Sequence, residues 1–148
     1  MAATYKSTQL TNIDAGTHQA AAAYQVGSRE RPIFRGTLAF GTTVMAKSED
    51  VEMVRLPIGV IPFMCWILVS ESLGSAKMAI GITGATGKYM AAATFTTADR
   101  WVPFMLESAF DDGALTAIES ILVTNDTTAA FPTTTGGSIN MAFECLVP

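Results

Sequence analysis

Apolar residues that alternate with polar ones, between breaks of glycine, proline and serine, constrain this fold most strongly. The stretch from Val51 to Gly87 shows the pattern best, with a strand-like segment on either side of the SESLGS turn. After that turn, every second residue faces the same way: Ala76, Met78, Ile80 and Ile82. A period of two with such breaks is typical of paired, half-buried strands. We therefore interpret residues 51–87 as the central hairpin of an antiparallel β-domain.

Further strand-like segments lie on both sides of this stretch, from Pro32 to the end of the chain. The last is the most regular, with one face made of Ile139, Met141, Phe143, Cys145 and Val147. Pro103 predicts that its segment is an edge strand or a bulge, because proline cannot donate a hydrogen bond to a ladder. We favour a strand over a helix for ILVT (121–124). Seven to nine short strands predict an all-β fold, an antiparallel β-sandwich over residues 32–148, with a jelly roll as one arrangement the pattern allows.

Residues 1–31 differ from the rest because they are polar, alanine-rich and without sustained periodicity. Thr17 to Gln25 predict a short helix, with Thr17 as its N-cap. Fully extended, the segment would span roughly 100 Å. Two interpretations stay open: an N-terminal arm that reaches a neighbouring subunit, or a frayed terminus.

The composition limits the classes of partner. Of the 148 residues, 49% are hydrophobic and 15% charged, so we expect part of the apolar surface to face another protein. The alternative is a large core under a weakly polar surface. A net charge of −4 without a basic stripe argues against nucleic acid. No apolar run reaches the roughly 20 residues of a membrane helix, and no secretory signal is visible, so we expect a soluble protein made in a cytoplasm.

The sequence contains no residue pattern that predicts catalysis, a cofactor or a metal. His18, the only histidine, lies in the arm and far from any nucleophile motif. GITGATGKY has neither the spacing of a P-loop nor that of a dinucleotide fingerprint, and we interpret it as a turn. Cys65 and Cys145 sit in apolar strand patterns and are expected to be buried free thiols. We predict that the protein is not an enzyme.

Four aromatic residues are candidates to line a ligand groove: Trp66, Trp101, Tyr89 and Phe131. Trp66 belongs to the most apolar run, so we expect it in the core. Phe131 precedes Pro132 in a loop of small residues, so we expect it to be exposed and to contact a partner.

Three short motifs give the chain a resemblance to a known family. They are Ala-Thr-Tyr-Lys-Ser-Thr-Gln (3–9), Val-Arg-Leu-Pro-x-Gly (54–59) and a Leu-Gly…Gly-Ile-Thr-Gly segment (73–84). Together they cover roughly the first 60% of the chain. With them the chain resembles the small capsid decoration, or cement, and minor head structural proteins of tailed bacteriophages.

The resemblance implies a non-enzymatic virion protein that decorates and stabilises the capsid shell. Its partner would be the major capsid protein, it would form a homo-oligomer with a trimer favoured, and it would lie on the capsid surface after assembly in the host cytoplasm. Tyr5, Lys6, Gln9 and Phe131 are then the candidate partner-binding residues. Two alternatives remain: a head–tail joining or tail structural protein, and a carbohydrate-binding β-sandwich module.

Overall fold

A computed structural model describes residues 4–6, 31–40, 45–133 and 136–148, the first of these as backbone only. The described ranges contain nine strands and one short helix. The strands are β1 (Thr4–Lys6), β2 (Ile33–Ala39), β3 (Asp50–Leu56), β4 (Ile61–Val69), β5 (Lys77–Ile82), β6 (Ala85–Thr94), β7 (Arg100–Met105), β8 (Glu119–Asn125) and β9 (Ser138–Leu146), and the helix is α1 (Glu107–Asp111). The sequence pattern does not predict α1. The helix predicted at 17–25 lies outside the described residues.

The strands form two sheets that pack face to face. One has four strands in the order β2-β9-β4-β7, and the other has five in the order β1-β3-β8-β5-β6. All pairings from β2 to β9 are antiparallel. Successive strands from β2 to β9 alternate between the sheets, except that β5 and β6 form a hairpin. This is the strand order of a jelly roll, so the predicted antiparallel β-sandwich is confirmed.

The predicted central hairpin is wrong. β4 pairs with β7 and β9, whereas β5 pairs with β6 and β8, so the two strands belong to opposite sheets. Residues 70–76 between them are long enough to cross the roughly 10 Å that separates packed sheets. The hairpin lies one strand later instead. It turns at Thr83 and Gly84, and the φ of +82° at Gly84 suits glycine. Most of GITGATGKY, which the sequence analysis interprets as a turn, is strand β6 from Ala85 onward.

The core lies between the two sheets and is built from the alternation seen in the sequence. In β9, Ile139, Met141, Phe143 and Cys145 are almost fully buried, as predicted, whereas Val147 lies beyond the strand and is exposed. Phe143 meets the edge of the Tyr89 ring of the opposite sheet, with ring centroids 5.5 Å apart. These contacts join the sheets into one hydrophobic core.

One edge of the sandwich is occupied by the strand that contains proline. β7, which carries Pro103, is an edge strand of the four-stranded sheet, which is one of the two positions predicted for it. ILVT lies in β8, which confirms the preference for a strand there. β1 pairs in parallel with β3 and forms the outer edge of the five-stranded sheet. Within the described ranges, no helix is both long and apolar enough to cross a membrane.

Candidate functional site

The structure separates the four predicted partner-binding residues rather than bringing them together. Tyr5 and Lys6 lie in β1, at positions that pair with Val51 and Glu52 of β3. Gln9 lies outside the described residues. Phe131 is only 3% exposed, so the prediction of an exposed aromatic is wrong.

Phe131 is buried because a buried amide fixes the loop that carries it. The side chain of Asn125 is fully buried, and its Nδ2 donates hydrogen bonds of 2.8 Å to the carbonyl oxygens of Met45 and Ala129. The backbone N–H of Phe131 donates to the same Met45 carbonyl at 3.2 Å. A buried amide must be hydrogen-bonded, so Asn125 draws the loop inward and the phenyl ring joins the core.

The most distinctive surface is the outer face of the four-stranded sheet, which we call the tryptophan face. In each of its strands, alternate residues belong to the core or pack against it, and the others point away. Register places the outward residues in three cross-strand rows: Ile33, Glu144, Met64 and Met105; Arg35, Ala142, Trp66 and Pro103; Thr37, Asn140, Leu68 and Trp101.

The tryptophan face exposes more apolar side chain than a solvated sheet requires. Ile33 is 39% exposed, Trp101 47% and Met105 62%. Trp66 is half-buried on this face, so the prediction that it belongs to the core is wrong. Its neighbours Cys65 and Ile67 take the inward positions. Exposed aromatic and thioether side chains on one sheet face are typical of a binding surface.

A groove of about 650 Å³ crosses the tryptophan face. Ala142 lines its floor with a small side chain, and larger outward residues surround it: Ile33, Arg35, Thr37, Trp66, Trp101, Asn140 and Glu144. The indole Nε1 of Trp66 donates to Glu144 Oε1 at 2.5 Å. Thr37 Oγ1 donates to Asn140 Oδ1 at 2.9 Å, and Asn140 Nδ2 donates to Ser138 Oγ at 3.1 Å. These bonds hold the groove side chains in one arrangement.

In two other polar clusters, the charged side chains bond to neighbouring side chains. Glu119 accepts hydrogen bonds from Lys88 Nζ, at 2.5 Å, and from the Tyr89 hydroxyl. Burial first, and then the bond to Glu119, raise the pKa of Tyr89 well above its usual range. Glu52 is paired with Arg55, with Nε to Oε1 at 2.7 Å. Among the described residues, no three His, Cys, Asp or Glu side chains come together as a metal site would require.

The two thiols are buried in the core, as predicted. Cys65 lies on β4 and Cys145 on β9, and each is inward-facing. Burial raises the pKa of the Cys145 thiol to about 12 and that of Cys65 further. Both therefore stay protonated and unreactive at neutral pH.

The sequence predicts part of this site. Trp66 and Trp101 were named as groove candidates, and they do line one groove, whereas Tyr89 and Phe131 are buried elsewhere. Arg35, Asn140 and Glu144 were not singled out. The period-two pattern gives the outward direction of all three, but their convergence depends on strand order, which the pattern does not contain.

Comparison with known proteins gives a structural likeness only. No family model and no curated protein matches the chain. A chain from the capsid of Ralstonia phage GP4 superposes with a TM-score of 0.73 at 17% identity, over 99% of both chains. A chain from the capsid asymmetric unit of cyanophage Pam1 superposes with a TM-score of 0.63 at 17% identity, over 90% of this chain and 96% of that one. The fold of this chain is therefore one that also occurs in phage capsids.

Proposed function

We propose that this chain is a non-enzymatic structural protein of a tailed-phage virion, which decorates the capsid shell by binding the major capsid protein. The observation that carries the proposal is the likeness to capsid chains of two phages over nearly the whole chain. The three short sequence motifs suggest the same class without reference to structure. Because a fold alone does not assign function, counting this chain in purified particles is the test.

The physical character of the chain supports a structural role. Among the described residues, Glu52 pairs with Arg55 and Glu119 with Lys88, both thiols are buried, and no metal-binding group assembles. Outside the tryptophan face, Ile58, Phe110 and Ile118 are exposed, and β1 is the outermost described strand of its sheet. These features suit a protein that docks on other subunits.

The N-terminal arm, residues 1–31, is the element we propose for docking. β1 is a strand of three residues at the edge of the five-stranded sheet, and among the described strands it pairs with β3. Tyr5 and Lys6 within it, and Gln9 just beyond it, are the proposed contacts with the shell or an adjacent protomer. An edge strand of this kind is a ready element for pairing between chains.

Deleting residues 2–31 tests the role of the arm. We expect the remaining jelly roll to fold, as judged by circular dichroism and thermal melting, and to lose binding to purified shells. Full-length variants with alanine at Tyr5, Lys6 or Gln9 are the finer test, because they keep the chain length. Binding that survives the deletion would remove the arm from the proposal.

The copy number of this chain in purified particles tests the function itself. A number close to that of the shell subunit, or to one trimer for each three-fold position, is expected for a decoration protein. A handful of copies would instead identify a head–tail joining or tail protein, and absence from particles would refute a virion role. Sedimentation equilibrium of the free protein tests the proposed trimer.

A further inference from the structure

We propose that the groove on the tryptophan face binds a neutral oligosaccharide. This goes beyond the proposed structural role, because it assigns the chain a ligand that a shell protein does not require. The inference rests on four features that meet in one place: concave shape, two indole rings, hydrogen-bonding side chains and balanced charge.

The shape of the groove suits a ligand of a few sugar rings. Its volume of about 650 Å³ lies within the range of roughly 300–1,000 Å³ that is usual for small-molecule sites. The depression exists because Ala142, with its small outward side chain, lies among larger neighbours. It is built on strands rather than on loops, so it exists before the ligand arrives.

The two indoles offer apolar faces for sugar rings. Trp66 pairs with Pro103 across β4 and β7, and Trp101 lies two residues before Pro103, so the tryptophans are diagonal neighbours on one face. The C–H bonds on one side of a pyranose carry small positive charge, and they pack favourably on the electron-rich face of an indole. The bond from Trp66 Nε1 to Glu144 fixes one ring, and Trp101, 47% exposed, remains accessible.

Polar groups that can form further hydrogen bonds surround the indoles. The side chain of Arg35 is exposed beside the groove, with its guanidinium donors open to solvent. Glu144 uses Oε1 for Trp66, and its Oε2 has no partner among the described residues. Asn140 donates one Nδ2 hydrogen to Ser138 and has a second. Donors and acceptors side by side match sugar hydroxyls, each of which both donates and accepts.

The charges favour a neutral sugar over an acidic ligand or a protein. Arg35 and Glu144 balance each other within the groove, so an anion would meet Glu144 as well as Arg35. Both charged residues line the depression itself. The centre of a protein–protein interface is depleted of Glu, although Arg and Trp are enriched there, so it is Glu144 within the depression that argues against a protein partner.

The test uses the full-length chain and a panel of neutral oligosaccharides built on glucose, galactose, mannose and N-acetylglucosamine. The chain has only two tryptophans, and both line the groove, so emission excited selectively from tryptophan and not from tyrosine reports this site. We expect at least one sugar to change the emission, with a dissociation constant on the order of 1 mM or lower and a matching calorimetric titration.

Variants assign the binding to the groove. Trp101→Ala should weaken it by about tenfold or more, since it removes a stacking platform. Glu144→Gln keeps the size of the side chain but removes its charge, and should weaken binding less. Phe110→Ala is the matched control, because Phe110 is 50% exposed on α1 and does not line the groove. It should leave binding unchanged.

Three results would overturn the proposal. They are no response to any sugar of the panel, sugar binding that Trp101→Ala leaves intact, and concentration-dependent self-association that Trp101→Ala abolishes. The last would make the face an interface between copies of this chain. All three are measured on the isolated protein, so they are independent of copy number in particles.

Discussion

Replacing Gly36 by alanine should destabilise the protein, although the same change at Gly87 should not. Gly36 lies in β2, directly against the bulge of β3 at Met53. A Cβ at Gly36 would lie 2.3 Å from the Met53 carbonyl oxygen and 2.9 Å from its carbon. Because the obstacle is backbone, no rotamer change relieves it.

The magnitude follows from that distance. The contact has to open by about 0.7 Å merely to reach 3.0 Å, the shortest approach that real Cβ atoms make. Overpacking of this kind costs typically 1–3 kcal/mol, and a rigid obstacle places Gly36→Ala near the upper end, at about 3 kcal/mol. For a domain of this size, that lowers the melting temperature by roughly 10 °C.

Gly87 supplies the matched control. It also lies in an edge strand, β6, and a Cβ there would meet no atom closer than 3.6 Å. Gly87→Ala should be neutral or stabilise by up to about 1 kcal/mol, because alanine reduces the entropy of the unfolded chain. Urea unfolding and thermal melting of both variants measure the difference. Equal stabilities for the two variants would refute the close approach of β2 to β3.

Three further predictions concern the core. Phe143→Ala, at a fully buried residue that contacts Tyr89, should cost about 3–5 kcal/mol in urea unfolding, and a loss below 1 kcal/mol would contradict the packing. The raised pKa of Tyr89 favours its neutral form in the folded state. The contribution of Tyr89 to the free energy of unfolding is therefore complete below about pH 10 and declines above it, and Tyr89→Phe should flatten that alkaline decline. Cys65 and Cys145 should resist a thiol reagent in the native protein and react fully in denaturant, and rapid native labelling would show that the core is open.

The close approach at Gly36 illustrates why local patterns leave pairing undecided. The period of two tells which side of a strand faces the core, and it does so correctly for β9. It does not tell which strand lies alongside. The pattern of β4 and β5 is compatible with a hairpin and with strands in opposite sheets, and only the jelly-roll order separates these.

Local sequence patterns also fail to predict whether Trp66 and Phe131 are buried. The run from Phe63 to Val69 is apolar at nearly every position, which is typical of a strand buried on both faces. One of its faces is instead the exposed groove, because no further layer of described residues covers β4. Phe131 lies in a loop of small residues, and its burial depends on Asn125. The Asn125 side chain bonds to Met45, which is 80 residues away in the sequence, and to Ala129, which is 4 residues away.

The sequence by itself determined the all-β class, the two-sided pattern of the strands, the restriction of Pro103 to a sheet edge or a bulge, and the absence of a recognisable catalytic motif. These follow from neighbours along the chain, because alternation, turn residues and a missing proline N–H are local properties. Tertiary structure alone decided the sheet order, the burial of Phe131 and the convergence of Arg35, Trp66, Trp101 and Glu144. Those depend on pairing between segments up to about a hundred residues apart, which local periodicity does not encode.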